Sequence, residues 1–161
     1  MLDIPADAAD RVYARVREKL TREPIEDFRL DFEDGYGNRP DAEEDGHAAS
    51  AAVQVAAAAT AGTLPPFIGI RIKNLGDELR GRALRTAHVF LDRLLTENDG
   101  ALPPNFVVTL PKITARAQVA ALADTFDAFE TSRGLETGSL RMVLLVETPY
   151  SILDECGAVN M

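Results

Sequence analysis

The stretch Leu30-Asp31-Phe32-Glu33-Asp34-Gly35-Tyr36-Gly37 decides how the rest of the chain is read. A short apolar lead-in, Phe28, Leu30 and Phe32, runs straight into three acids and then two glycines. A strand that ends on carboxylates and is followed by a glycine turn and a helix carries charge at the carboxyl edge of its sheet. That edge is where α/β folds bind ligands. Three later strands are predicted to end the same way, at Ile70-Arg71-Ile72-Lys73, Thr109-Leu110-Pro111-Lys112 and Leu144-Leu145-Val146-Glu147-Thr148. Every predicted strand thus finishes on a charged residue.

Outward from this stretch, helices and strands alternate. Residues 5–22 read as an amphipathic helix, with Ala8, Val12, Val16 and Leu20 recurring every four residues. Pro5 suits a first helical position and Pro24 stops continuation. The first strand spans residues 27–32. Pro40 opens a second helix with Asp41, Glu43, Glu44 and Asp45 in its first turns, where the helix dipole favours acids; it runs through the alanine-rich residues 48–61 and ends at Gly62. The second strand covers residues 67–73. A third helix, residues 76–97, has Leu79, Ala83, Ala87, Phe90, Leu91 and Leu94 on one face, and Arg80, Arg82, Arg85, Asp92 and Arg93 on a face read as solvated. The third strand is predicted over 106–112 and the fourth helix over 114–133, with Val119, Leu122, Phe126 and Phe129 inward. The fourth strand, residues 141–147, has a continuous apolar run of the kind that helices cover on both faces. A further helix is expected over residues 150–156.

Strands separated by helices imply parallel pairing and right-handed crossovers. Two α/β architectures fit: an open doubly wound sheet, or part of a (β/α)8 barrel, which in full needs about 250 residues. The chain has 161 residues, 46% hydrophobic and 27% charged, a globular composition with about one domain's worth of core. A net charge of −9 argues against nucleic acid and anionic membranes as partners, both of which attract basic patches. The single cysteine, Cys156, permits no internal disulfide, and with only His47 and His88 present it has no nearby partner to make it a catalytic thiol. No signal pattern opens the chain and no apolar run approaches the ~20 residues of a membrane span, so a soluble, cytoplasmic protein is expected.

The charged strand ends carry the candidate chemistry. Glu147 closes a wholly apolar strand, and is either a rim carboxylate paired with Lys112 or Lys73, or a ligand for a hard divalent cation such as Mg²⁺. Arg71 points opposite to Ile70 and Ile72; it grips a substrate carboxylate with its fork, or forms a salt bridge to Glu33 or Asp34. Glu33 and Asp34 are themselves metal ligands, or carboxylates that orient Arg71 or Lys112. Lys112 supports a substrate electrostatically. Several templates are absent: the acids of residues 31–35 lack the spacing of a calcium loop, Gly35-Tyr36-Gly37 lacks the third glycine of a dinucleotide fingerprint, and there is no phosphate loop or Gly-x-Ser-x-Gly elbow.

Taken in order, residues 30–35, 70–74, 110–112 and 145–148 resemble the citrate lyase beta-subunit and HpcH/HpaI aldolase family over residues 27–156. The resemblance implies a (β/α)8 barrel and cleavage or formation of carbon–carbon bonds beside a carbonyl, with Mg²⁺ or another divalent ion such as Mn²⁺. By position, Glu147 is then the first metal ligand, Arg71 binds the substrate carboxylate or carbonyl, Glu33 and Asp34 lie in the acidic cluster beneath the substrate, and Lys112 is the supporting base. The implied reaction is retro-aldol or Claisen-type cleavage of a 3-hydroxy acid or its acyl-CoA thioester, with 2-oxo acids as related ligands, in a homo-oligomer. The family's second metal carboxylate belongs to a strand after Glu147, so the chain reads as an internal fragment: residues 1–26 a helix and connection, residues 27–161 barrel strands two to five. Lys73, and Pro149-Tyr150 after Glu147, suggest a divergent branch. The alternative is a non-catalytic α/β module that binds a partner or a second copy through its open edges or its N-terminal helix.

Overall fold

The computed structural model describes residues 5–154 and 156–159. It is an α/β fold in the order α1 (Ala6–Arg22), β1 (Asp27–Asp31), α2 (Asp41–Thr60), β2 (Phe67–Arg71), α3 (Arg80–Glu97), β3 (Phe106–Leu110), α4 (Arg116–Arg133), β4 (Arg141–Leu144), with a single 3-10 turn at Pro149–Ser151. The four strands form one parallel sheet in the order β1-β2-β3-β4. Each strand lies beside the one before it and the order never reverses. A doubly wound sheet needs such a reversal to make its ligand crevice. Right-handed crossovers that always step the same way put their helices on the same face.

Register makes that face visible. Ile68 aligns with Phe106 and Ile70 with Val108, and all four are buried with Ala48 and Ala52 of α2, Phe90 and Leu94 of α3, and Leu122 and Phe126 of α4. The alanine stripe of α2 lets that helix approach α3 closely. Residues of the other parity, Asp31, Arg71, Thr109 and Val143, form one row across all four strands on the opposite face. On this face Phe67, at the start of β2, and Arg141 and Val143, on the outer strand β4, are exposed.

The strands are shorter than the sequence predicts, for identifiable reasons. Only Asp31 and Arg71 close a strand on a charge; Lys73, Lys112 and Glu147 lie in the loops beyond. Pro111 offers no N–H to continue the ladder of β3, and β4 loses its neighbour just after the bond from the Leu145 N–H to the Leu110 carbonyl (3.0 Å). The apolar run of β4 is also not buried on both faces: Val143, Leu144 and Val146 are exposed, because β4 pairs only with β3 among the described strands. The helix expected over residues 150–156 is replaced by the 3-10 turn and an antiparallel bridge between Leu153 and Val159. There the Asp154 carboxylate accepts the Cys156 and Ala158 N–H groups, a local turn that competes with helix. Glu155 lies outside the described residues. The helix α3 starts at Arg80 because residues 76–79 form a turn of their own, with Arg80 N–H bonded to the Gly76 carbonyl. No helix among the described residues is long and apolar enough to cross a membrane.

Close strand approach sets one sharp requirement. A Cβ at Gly69 would sit 2.1 Å from the Val107 carbonyl oxygen, whereas one at Gly46, in α2, would meet nothing within 4 Å. Gly69→Ala is expected to lower stability by about 3 kcal/mol through overpacking. Gly46→Ala is expected to raise it by roughly 1 kcal/mol through helix propensity. Urea unfolding midpoints of the two variants check the pair.

Candidate functional site

The carboxyl ends of the strands converge on one cluster of charge. Asp31 and Arg71 are aligned partners at the last paired position of β1 and β2. Their side chains meet in a fork: Arg71 Nε donates to Asp31 Oδ1 at 2.7 Å and Nη2 to Oδ2 at 2.5 Å. Asp31 also accepts the N–H of Glu33 and of Gly35, both at 2.9 Å, and so curls the loop that carries Glu33 and Asp34. The guanidinium holds the Asp31 carboxyl down at about 2, aided by those two backbone donors and opposed by desolvation, and Asp31 in turn raises the pKa of Arg71.

Lys112 completes the cluster from β3. It adopts a left-handed backbone (φ 50°), rare for a residue with a side chain, just past Pro111. From there its ammonium crosses to the loop after β1, donating to Glu33 Oε1 and, at 2.6 Å, to Asp34 Oδ1. Its backbone N–H donates to Glu147 Oε1 at 2.8 Å. Asp34 first, then Glu33, raise the Lys112 pKa, and Lys112 lowers that of Asp34. Both carboxylates favour the charged form of the Lys112 ammonium.

The expected residues are therefore brought together; Lys112 sits on Glu33 and Asp34, as one of the two readings of those acids had it, while other partners differ. Arg71 pairs chiefly with Asp31, and reaches Glu33 Oε2 only at 3.7 Å through Nη1. Its fork is spent, leaving Nη1 as the nitrogen with no hydrogen bond to Asp31. Glu147 contacts the backbone of Lys112 and not its ammonium. Lys73 leaves the rim altogether: it is buried, donating to the Phe32 carbonyl and to Glu44 Oε2, each at 2.7 Å. Thr86 Oγ1 donates to the other oxygen of Glu44 at 2.5 Å. Arg82 is likewise not on a solvated face. It is nearly buried among Asp41, Glu44 and Asp45.

Three residues escaped the sequence reading as parts of this region. Asp31 was legible in principle, since strand parity puts it on the same face as Arg71. Glu44 is fully buried. Its spacing of four from Ala48 and eight from Ala52 puts it on the alanine stripe. Thr109 lies in the Asp31–Arg71 row with its hydroxyl buried and unpartnered, and nothing in its sequence context marked it.

A family model described as a domain of unknown function (DUF6986) matches residues 1–161. The chain belongs to the DUF6986 family. No curated protein and no solved structure matches it. In this DUF6986 chain the candidate chemistry lies in the charged cluster at the strand ends.

Asp31 has a depressed folded pKa, so its contribution is present above the ordinary carboxylate range and is lost as pH falls through the folded value. Between pH ~4 and ~2 the native protein should lose roughly 1 kcal/mol from this pair, after allowing for solvent screening. Asp31→Asn should remove that part of the acid dependence in pH-resolved urea titrations. In the buried pair, Lys73→Met should cost about 3 kcal/mol by stranding Glu44. Thermal melts of the variant and the parent measure that loss.

Proposed function

We propose that this chain is part of a (β/α)8-type, divalent-metal-dependent carbon–carbon lyase. It would act on a 3-hydroxy acid or its acyl-CoA thioester by retro-aldol or Claisen-type cleavage. The observation that carries the reading is the convergence of four sequentially ordered parallel strands on one rim. There Arg71 and Lys112 meet Asp31, Glu33, Asp34 and Glu147. The order of motifs along the chain, with its resemblance to the citrate lyase beta-subunit and HpcH/HpaI aldolases, supports the same reading.

The rim's charge fits an ion. Four carboxylates face two cations, a net −2 that would repel an anionic substrate unless a divalent cation offset it. Glu33 Oε2 is buried without a hydrogen-bond donor, and Glu147 is exposed with only Oε1 engaged. Among the described residues no three acids, histidines or cysteines are placed to enclose a metal. The protein would thus contribute Glu147, with Glu33 or Asp34 nearby, and leave the remaining positions to water and substrate oxygens, as Mg²⁺ or Mn²⁺ commonly does. When bound, the ion supplies stabilisation of the negative charge that develops on the substrate carbonyl oxygen. Arg71 would hold the substrate carboxylate through Nη1, with Asp31 fixing its plane. Lys112, kept protonated by Asp34 and Glu33, would add a fixed positive charge at the same rim.

One observation favours the non-catalytic reading: the ion pairs already satisfy most of the cluster's donors and acceptors. Calorimetry separates the two. Mn²⁺ should bind one per site, a pyruvate- or oxaloacetate-like ligand should alter that binding, and Glu147→Gln should weaken it at least tenfold with an unchanged circular dichroism spectrum. Metal-dependent cleavage should be lost in the same variant. Normal metal affinity and turnover in Glu147→Gln would sink the assignment of Glu147.

A further inference from the structure

Lys112 touches every carboxylate that the lyase reading offers to an ion. Its ammonium donates to Glu33 Oε1 and, at 2.6 Å, to Asp34 Oδ1, while its N–H donates to Glu147 Oε1 at 2.8 Å. A left-handed backbone (φ 50°) directly after Pro111 puts it there. Such a conformation persists in a residue with a side chain only where the surroundings hold it. Here the contacts that hold it are the ones to these three acids.

The lysine leaves the acids half satisfied. Glu33 is 6% exposed, and with Oε1 taken by the ammonium its Oε2 stays buried without a hydrogen-bond donor. The nearest guanidinium nitrogen given to it, Arg71 Nη1, is 3.7 Å away, beyond hydrogen-bond reach. This orphaned oxygen points to a cation independently of the rim's acidity. One ammonium brings a single charge to two carboxylates, whereas a divalent ion brings two charges and takes oxygen ligands from several sides at about 2.1 Å for Mg²⁺. An ammonium and such an ion cannot hold the same oxygens together, because the two positive charges would be in contact.

We propose that the Lys112 ammonium is a tethered occupant of the metal position, which a divalent ion must displace from Glu33 and Asp34 in order to bind. The inference rests on the metal reading above and adds that the ion-free rim is held together by its own lysine. Occupancy by the lysine and by the ion are alternatives, so the apparent metal affinity is reduced by the fraction of the protein in which the lysine is in place. On loading, the ion takes over the tie between the β1 loop and the end of β3. The released ammonium stays at the rim near Arg71, with which it shares Glu33, as a positive charge for an anionic ligand. Lys112 therefore acts as a brake on metal binding that is lifted when the ion enters.

Calorimetric titration of the 161-residue chain with Mn²⁺ tests it. Lys112→Met keeps the stem of the side chain and removes its charge, and should bind Mn²⁺ about tenfold more tightly than the parent, or better. Lys112→Asn should do the same, and its side chain tolerates the left-handed backbone, so it serves if the Met variant does not fold. Without metal both variants should melt below the parent, because Glu33 loses its cation, and Mn²⁺ should raise their melting temperatures by more than it raises the parent's. Lys112→Arg restores the charge and should return the affinity to within about threefold of the parent. Arg39→Gln removes a positive charge that pairs with Glu43 in the same region, and should change the affinity by less than about twofold. An equal gain in Arg39→Gln would reduce the effect to net charge and overturn the proposal. Unchanged or weaker binding in the neutral Lys112 variants also overturns it, while leaving the metal reading in place. Absence of Mn²⁺ binding in the parent and in the variants alike overturns the metal reading and this inference with it.

Discussion

The Asp31–Arg71 fork is the interaction on which the rim depends. It ties the last aligned position of β1 to that of β2, and Asp31 simultaneously holds two N–H groups of the following loop. One carboxylate therefore fixes the cation, the end of the strand, and the path that presents Glu33 and Asp34. The loop fits tightly around it: a Cβ at Gly35 would come within 2.6 Å of Asp31 Oδ2. Glycine is required there for space, since its backbone is not among the left-handed ones.

Lys112 shows how a strained turn can serve a site. Its left-handed backbone costs about 1 kcal/mol for a residue with a side chain. In return the N–H faces Glu147 on the β4 side, while the ammonium passes over β2 to the β1 loop. A single residue thus links the carboxyl ends of β1, β3 and β4. The second ionic centre, Lys73 with Glu44 and Thr86, lies beneath the rim and connects the β1 loop to α2 and α3. The rim is set on a buried polar base whose members are paired.

Much of this was legible in the sequence, and the exceptions have physical causes. Alternation of apolar runs with four-residue periodicity revealed all four strands and the four long helices, because burial imposes those periods directly. Strand ends were less legible, since they depend on a neighbour's length: β4 stops pairing where Pro111 interrupts β3, which its own residues do not show. Arg71, Lys112, Glu33, Asp34 and Glu147 could be singled out as charges following apolar runs. Which of the possible pairings forms could not, and Asp31 was passed over as the partner of Arg71, because pairing depends on register and a partner two residues away in sequence lies on the same face of the strand. Arg82 looked like a solvated charge, and Glu44 like an acid placed by the dipole of α2. Only the packing of α2 on α3 shows that Glu44 is paired with Lys73 and Arg82, and Arg82 with Asp41 and Asp45 as well.

The strand order has a consequence for how the chain acquires its structure. Paired residues are 34 to 40 positions apart throughout, from Val107 with Arg141 to Asp27 with Phe67, and no strand waits for a distant one. Loop-closure entropy grows only slowly over such lengths and is met in similar steps at each unit. Each helix and strand can be laid onto the one already formed, in the order in which a ribosome delivers them. A topology of this kind grows by repetition, as solenoids do, and adding or removing a helix–strand unit at either end leaves the pairing of the others intact.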